Sequence, residues 1–255
     1  MNKPIRDWTA RRVWIIGASS GIGAALAVAL LERGAFVAVS ARRAEALQAV
    51  VAGHGEARVL AFDLNDRAAF AATSDELFKA WGGIDLIVFS AGAYAPMRAW
   101  QLDANDIDRL LAINLHAPMS AAARLIPQLL KQGNGALAFV SSVAGYRGLP
   151  KAAAYGPTKA ALINFAETLY LDLAPRGLSV YLINPGFVAT PMTAANDFAM
   201  PALISPQQAA EEIIAGFGRG SFEIHFPRRF TYWLKLMRML PYGIYFALVR
   251  RFTRL

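Results

Sequence analysis

Val13-Trp14-Ile15-Ile16-Gly17-Ala18-Ser19-Ser20-Gly21-Ile22-Gly23 decides how the rest of the chain is read. Its four leading apolar residues make a short strand, and an Ala- and Leu-rich helical pattern follows Gly23. Between them, the glycines permit a tight turn and remove the Cβ atoms that would keep a backbone away from a phosphate. The helix that follows offers free N–H groups and partial positive charge to an anion. This is the opening of a dinucleotide-binding fold, although three glycines and two serines alone also fit a plain Gly-rich helix entry. The surrounding sequence must separate the two.

Extended to Leu31, the stretch has 19 residues without a charge and follows the basic Lys3, Arg6, Arg11 and Arg12. That is near the length of a membrane span or a signal segment. The glycines and serines at its centre split it instead into strand, turn and helix, and the expectation is a cytoplasmic chain. A second charge-free stretch, residues 177–196, holds Pro185, Gly186 and Pro191, which a lipid-exposed helix disfavours.

Outward from this opening, apolar strand-like runs recur at residues 36–40, 59–62, 86–90, 136–141, 179–183 and 222–226, with helical patterns between them. Strands apolar on both faces that alternate with helices imply a parallel sheet covered on both sides. The expected fold is a single-domain, doubly wound α/β Rossmann architecture of about seven strands over residues 1–227. Local punctuation agrees. Ser205-Pro206-Gln207-Gln208 opens a helix expected over 206–217, and Gly34 closes the first one.

The 255 residues are 56% apolar and 17% charged, which ensures a sizeable core and excludes a disordered chain. There is no cysteine, and His54, His116 and His225 are scattered, so disulfides, thiolate metal sites and zinc-hydrolase spacings are excluded. No metal is expected. The net charge of +8 is local. Residues 228–255 hold seven basic and no acidic residues, leaving 19 basic against 18 acidic before them. Nucleic acid is not the expected partner of such a nearly neutral body.

After the second strand, where a carboxylate would bond the adenosine 2′-hydroxyl, the sequence has Arg42-Arg43. Two guanidinium groups there suit a 2′-phosphate, and hence NADP(H). Further on, Tyr155 and Lys159 are four apart and share one helix face, with Ser142 thirteen residues before the tyrosine at the end of the fifth strand. Asn114 lies in the preceding helix.

Together these residues resemble the short-chain dehydrogenase/reductase family over about the first 227 positions. The resemblance is carried by residues 17–23, Asp63-Leu64, Ser90-Ala91-Gly92, Asn114, Ser142, Tyr155-Gly156-Pro157-Thr158-Lys159 and Asn184-Pro185-Gly186-Phe187-Val188-Ala189-Thr190. It implies Tyr155 as acid/base, Ser142 as holder of the substrate oxygen, and Asn114 and Lys159 as holders of a water relay. It implies a cofactor site of Gly17, Ser19, Ser20, Gly21, Ile22, Gly23, Arg42, Arg43, Asp63, Leu64, Ser90, Ala91, Gly92, Tyr155, Lys159, Pro185, Gly186, Val188 and Thr190. Asp63 would meet the adenine, and residues 185–190 would bracket the nicotinamide. The family's habit of pairing its long helices implies a homodimer or homotetramer. Three positions depart from the family pattern: Ile16 in place of Thr, Ser90 in place of Asn, and Pro157 inside the YxxxK motif.

A phenol has a pKa of about 10. A cation about 4 Å away at an effective dielectric of about 20 is worth roughly 4 kcal/mol, an upper limit of about three pKa units. Lys159, helped by an oxidised nicotinamide, is therefore expected to draw Tyr155 toward neutrality. The reacting carbon is expected among apolar groups: Tyr94, Met97, Trp100, Tyr146, Leu149, Phe187, Met192, Phe198, Met200, Leu203 and Ile204. That set favours a hydrophobic or lipid-like carbonyl compound, such as a 3-oxoacyl chain, over a sugar.

The tail alternates basic and aromatic residues and breaks at Pro241-Tyr242-Gly243. Two readings stay open. It forms two short helices in an anionic membrane interface, leaving the protein peripheral to a membrane's inner face, or it packs on its own domain or a partner subunit. The corresponding alternative function is a catalytically silent dinucleotide-binding adaptor held at a membrane by residues 228–255.

Overall fold

The computed structural model describes residues 2–196, 198 and 200–253. Seven parallel strands form one sheet in the order β3-β2-β1-β4-β5-β6-β7. They are β1 Arg12–Ile16, β2 Phe36–Ala41, β3 Ala57–Ala61, β4 Leu86–Phe89, β5 Ala136–Val140, β6 Ser179–Pro185 and β7 Glu223–Phe226. The expected doubly wound architecture is present.

β1 shows why its sequence carries no polar alternation. Val13 and Ile15 enter the core on one face of the sheet, and Trp14 and Ile16 enter the core on the other. The first core is closed by α1 (Gly21–Leu31), α2 (Ala44–Val50) and α7 (Pro206–Arg219), the second by α3 (Arg67–Trp81), α5 (Ala117–Gln132) and α6 (Tyr155–Leu173). α7 begins with the expected capping box of Ser205 and Gln208 and runs two residues longer than its pattern implies, to a left-handed Gly220. The charge-free stretch at residues 13–31 is β1, a turn and α1, and no helix among the described residues is long and apolar enough to cross a membrane.

Strand order reverses between β1 and β4, where the carboxyl ends of doubly wound sheets leave a crevice for ligands. Two local departures shape that crevice. β5 stops at Val140, so Ser141 and Ser142 leave the sheet, and Ser142 caps a 3-10 turn by accepting from the Ala144 N–H at 3.1 Å. Asn114 sits in a π-helical turn, Ala112–His116, between α4 (Ala104–Leu111) and α5. Such one-turn bulges interrupt a regular helix and recur at functional sites.

The tail forms α8 (Arg228–Arg238) and α9 (Tyr242–Thr253). They do not hang free. Arg147 donates to the carbonyls of Met237, Arg238 and Leu240, and lies 4.1 Å and 4.6 Å from the ring centroids of Tyr245 and Tyr242. Tyr245 donates to Gly148 O at 2.7 Å, and Met237, Tyr245 and Val249 form a small core of their own. Arg254, the last basic residue of the tail, lies outside the described residues.

Candidate active site

The crevice is an open cleft of about 370 Å³ at the carboxyl ends of the strands. Its phosphate end is built by Gly17, which sits at φ +94°. A Cβ there would lie 2.2 Å from Ala91 N, and one on Gly23 would lie 2.4 Å from Gly17 O, so no other residue fits either position without moving backbone. Ser20 stands at the N-cap of α1 but makes no side-chain cap, which leaves the first-turn amides to a ligand. This cradle suits a pyrophosphate.

Of the sequence-derived cofactor residues, Gly17, Ser19, Ser20, Gly21, Ile22, Arg42, Arg43, Asp63, Leu64, Ser90, Ala91, Gly92, Tyr155, Lys159, Pro185, Gly186, Val188 and Thr190 all line the cleft. Gly23 does not; it supports the turn from beneath. Arg42 and Arg43 are exposed at the end of β2, with Arg43 at the N-cap of α2. Asp63 accepts from the Asn65 backbone N–H at 2.9 Å and its side-chain amide at 3.1 Å, which fixes the carboxylate beside Leu64.

At the other end Ser142, Tyr155 and Lys159 come together. The turn carrying Ser142 is locked to α6: a Cβ on Gly145 would lie 2.7 Å from Lys159 C, and Ser141 Oγ donates to Lys159 O at 2.9 Å. Asn114 does not line the cleft. It is buried, accepts from Ala93 N–H at 2.8 Å, and donates to Ala93 O at 3.0 Å and Thr158 Oγ1 at 3.2 Å. Its side chain ties the loop after β4 to α6.

The electrostatics differ from the sequence expectation. Burial pushes the Tyr155 phenol up to about 12, against a smaller downward pull from Ser142. Burial also pulls Lys159 down to about 8, because no carboxylate compensates its charge. Burial therefore sets the direction of the tyrosine shift, and the phenol is protonated at neutral pH.

The apolar set expected around the substrate is only partly gathered. Met192 lines the cleft, and the Tyr94 ring stands edge-on to Tyr155 at 4.9 Å between centroids. Phe187 contacts Phe198 at 5.9 Å and Phe230 of α8 at 5.8 Å. Trp100 is 79% exposed and lies off the cleft. Tyr146 is buried, and its hydroxyl donates to the Glu223 carboxylate.

That carboxylate is the group sequence reasoning missed. Glu223 Oε1 also accepts from Asn184 Nδ2 at 2.8 Å, and Oε2 accepts from Lys235 Nζ of α8 at 2.5 Å. Burial raises the Glu223 pKa, but bonds from Lys235, Tyr146 and Asn184 together outweigh it, so the carboxyl lies below its usual range. Nothing in the short run Glu223–Phe226 signals such a hub.

A family model described as short chain dehydrogenase matches residues 11–199, and the chain belongs to this family. A protein of Myxococcus xanthus (strain DK1622), described as an "uncharacterized oxidoreductase", is 34% identical over 94% of this chain and 97% of its own. A short-chain dehydrogenase/reductase of Burkholderia phymatum, solved in complex with NAD, superposes with a TM-score of 0.83 over 91% of this chain and 94% of that one, at 22% identity. ElxO, solved with NADP bound, gives a TM-score of 0.77 at 19% identity over 85% and 98%. The chain is thus an oxidoreductase of the short-chain dehydrogenase family, which disfavours the silent-adaptor alternative.

Proposed function

We propose that this protein is an NADP(H)-dependent reductase of hydrophobic carbonyl compounds, with Tyr155 as proton donor. The observation that carries the reading is one continuous cleft running from Arg42 and Arg43, past the Gly17 cradle, to Ser142, Tyr155 and Lys159. The arginine pair supplies a fork of charged donors where a 2′-phosphate would lie, and no acidic residue follows β2 until Glu45 in α2. Tyr94, Met192 and Phe187 support an apolar substrate.

The nicotinamide, when bound, supplies a hydride to the carbonyl carbon. Ser142 donates a hydrogen bond to the carbonyl oxygen and holds it beside the phenol. Tyr155, protonated at neutral pH, transfers its proton to that oxygen as the C–O bond becomes an alcohol. Lys159 carries the positive charge that stabilises the resulting phenolate. Exposed Met119 on α5 and Leu171 on α6 support pairing of these long helices in a homodimer or homotetramer.

Ketones and aldehydes of increasing chain length, with NADPH or NADH oxidation followed by absorbance, test the function. NADPH turnover that improves with chain length is the expected result. Preference for NADH, or for short polar substrates, contradicts the respective half of the proposal.

A further inference from the structure

The outer face of the tail runs against the rule for a water-facing helix. Tyr232, Leu236 and the C-capping Met239 recur at spacings of four and three along α8 and its end, and all are exposed, Met239 at 82%. Trp233 beside them is exposed too, and its ring meets that of Phe252 in α9 at 6.2 Å, edge to face. The two helices therefore share one outward apolar surface. Arg228, Arg229, Arg238, Arg250 and Arg251 of the same two helices are also exposed, and residues 228–255 contain no acidic residue. The inner face is satisfied separately, through Arg147, Tyr245 and the Lys235–Glu223 pair.

We infer that α8 and α9 are an interfacial platform that docks the folded protein on an anionic lipid bilayer. Twelve residues of α9 reach about 18 Å, well short of a bilayer's hydrocarbon core of about 30 Å, so the helices lie in the interface. Aromatic rings sit at headgroup depth, and the arginines meet lipid phosphates. Charge decides against a second copy of this chain as occupant. A two-fold contact would set these arginines against their own counterparts, with no acidic residue in the segment to offset them. The platform adjoins the substrate loop through the Phe187–Phe230 contact, so a lipid-borne carbonyl compound would enter from the bilayer side. That last step alone rests on the apolar-substrate reading; docking does not.

The test is flotation of the full chain, without substrate, on phosphatidylcholine vesicles with and without phosphatidylglycerol. Partitioning roughly a hundredfold stronger on the anionic vesicles, weakening from 0.05 to 0.5 M salt, is expected. Leu236→Asp with Met239→Asp, and separately Arg228→Glu with Arg229→Glu, should abolish or sharply reduce it while leaving the melting temperature and turnover of a water-soluble ketone unchanged. Wild-type protein that stays folded and does not float overturns the proposal. So does binding that ignores lipid charge, or light scattering that finds an oligomer dissolved by the aspartate variant.

Discussion

The Lys159 ammonium lies 5.6 Å from the centroid of the Tyr155 ring and donates to the Val140 carbonyl at 3.0 Å. Lysine and tyrosine are thus neighbours through a ring face, and one of the lysine's three N–H donors is committed to the end of β5. Both groups are shifted toward their neutral forms, tyrosine up to about 12 and lysine down to about 8.

Tyr155→Phe should lower turnover by roughly a hundred- to ten-thousandfold, the usual worth of a positioned proton donor, and leave cofactor affinity nearly unchanged. Steady-state rates together with fluorescence titration of the dinucleotide check this. Unchanged turnover would remove the tyrosine from the chemistry.

Lys159→Met should abolish activity and yet make the protein more stable at pH 7, on the order of 1 kcal/mol, since a buried, uncompensated charge is removed. The sign follows from the depressed pKa. Below about 8 the folded chain bears the full cost of the buried ammonium, and that cost fades as pH rises toward the usual 10.5. Thermal melts of both proteins should therefore differ most at neutral pH and converge near pH 10.

Arg42→Ala with Arg43→Ala should weaken NADPH binding roughly ten- to a hundredfold, in line with about 1.5–3 kcal/mol for hydrogen bonds to charged groups. NADH affinity should hardly move. Calorimetric titration of both dinucleotides into wild type and variant separates this from general damage to the cleft.

Glu223→Gln keeps the shape of the hub and removes its charge, leaving Lys235 half-buried without a counter-ion. A loss of roughly 1–3 kcal/mol in urea unfolding at pH 7 is expected. Because the wild-type carboxyl lies below its usual pKa, its contribution is present above the unfolded carboxylate range and vanishes as pH falls through the folded value. The two unfolding curves should merge in acid.

The sheet was readable in the sequence because a strand buried on both faces, such as Val13 to Ile16, has no polar position to confuse it with a surface strand. The tight turn after β1 was readable for a similar reason: the close backbone approach at Gly17 and Gly23 is local in sequence. What stayed hidden depends on crossings of distant segments. Tyr146 meets Glu223 across 77 residues, and Arg147 finds the end of α8 across 90. The π turn at Asn114 has no periodic signature, and its side chain bonds Ala93 and Thr158 in a way spacing does not reveal. The direction of the Tyr155 and Lys159 shifts required knowing the depth of burial, which pairwise charge arithmetic omits.

The seating of Gly145 on the Lys159 backbone, with Ser141 stitched to the same helix, makes Ser142, Tyr155 and Lys159 one mechanical block. Among the described residues, the loop after β6 meets that block through Tyr94, whose ring stands edge-on to Tyr155 and whose hydroxyl donates to Asn196 Oδ1 at 2.9 Å, and it is clipped to itself by Thr193 Oγ1 donating to Val188 O at 2.6 Å. On gradual warming the two parts should therefore lose order at different temperatures. Michaelis constants should climb first, as the loop loosens around the substrate, while the turnover number keeps rising until α6 itself melts. A protein assembled this way separates capture from conversion along the temperature axis.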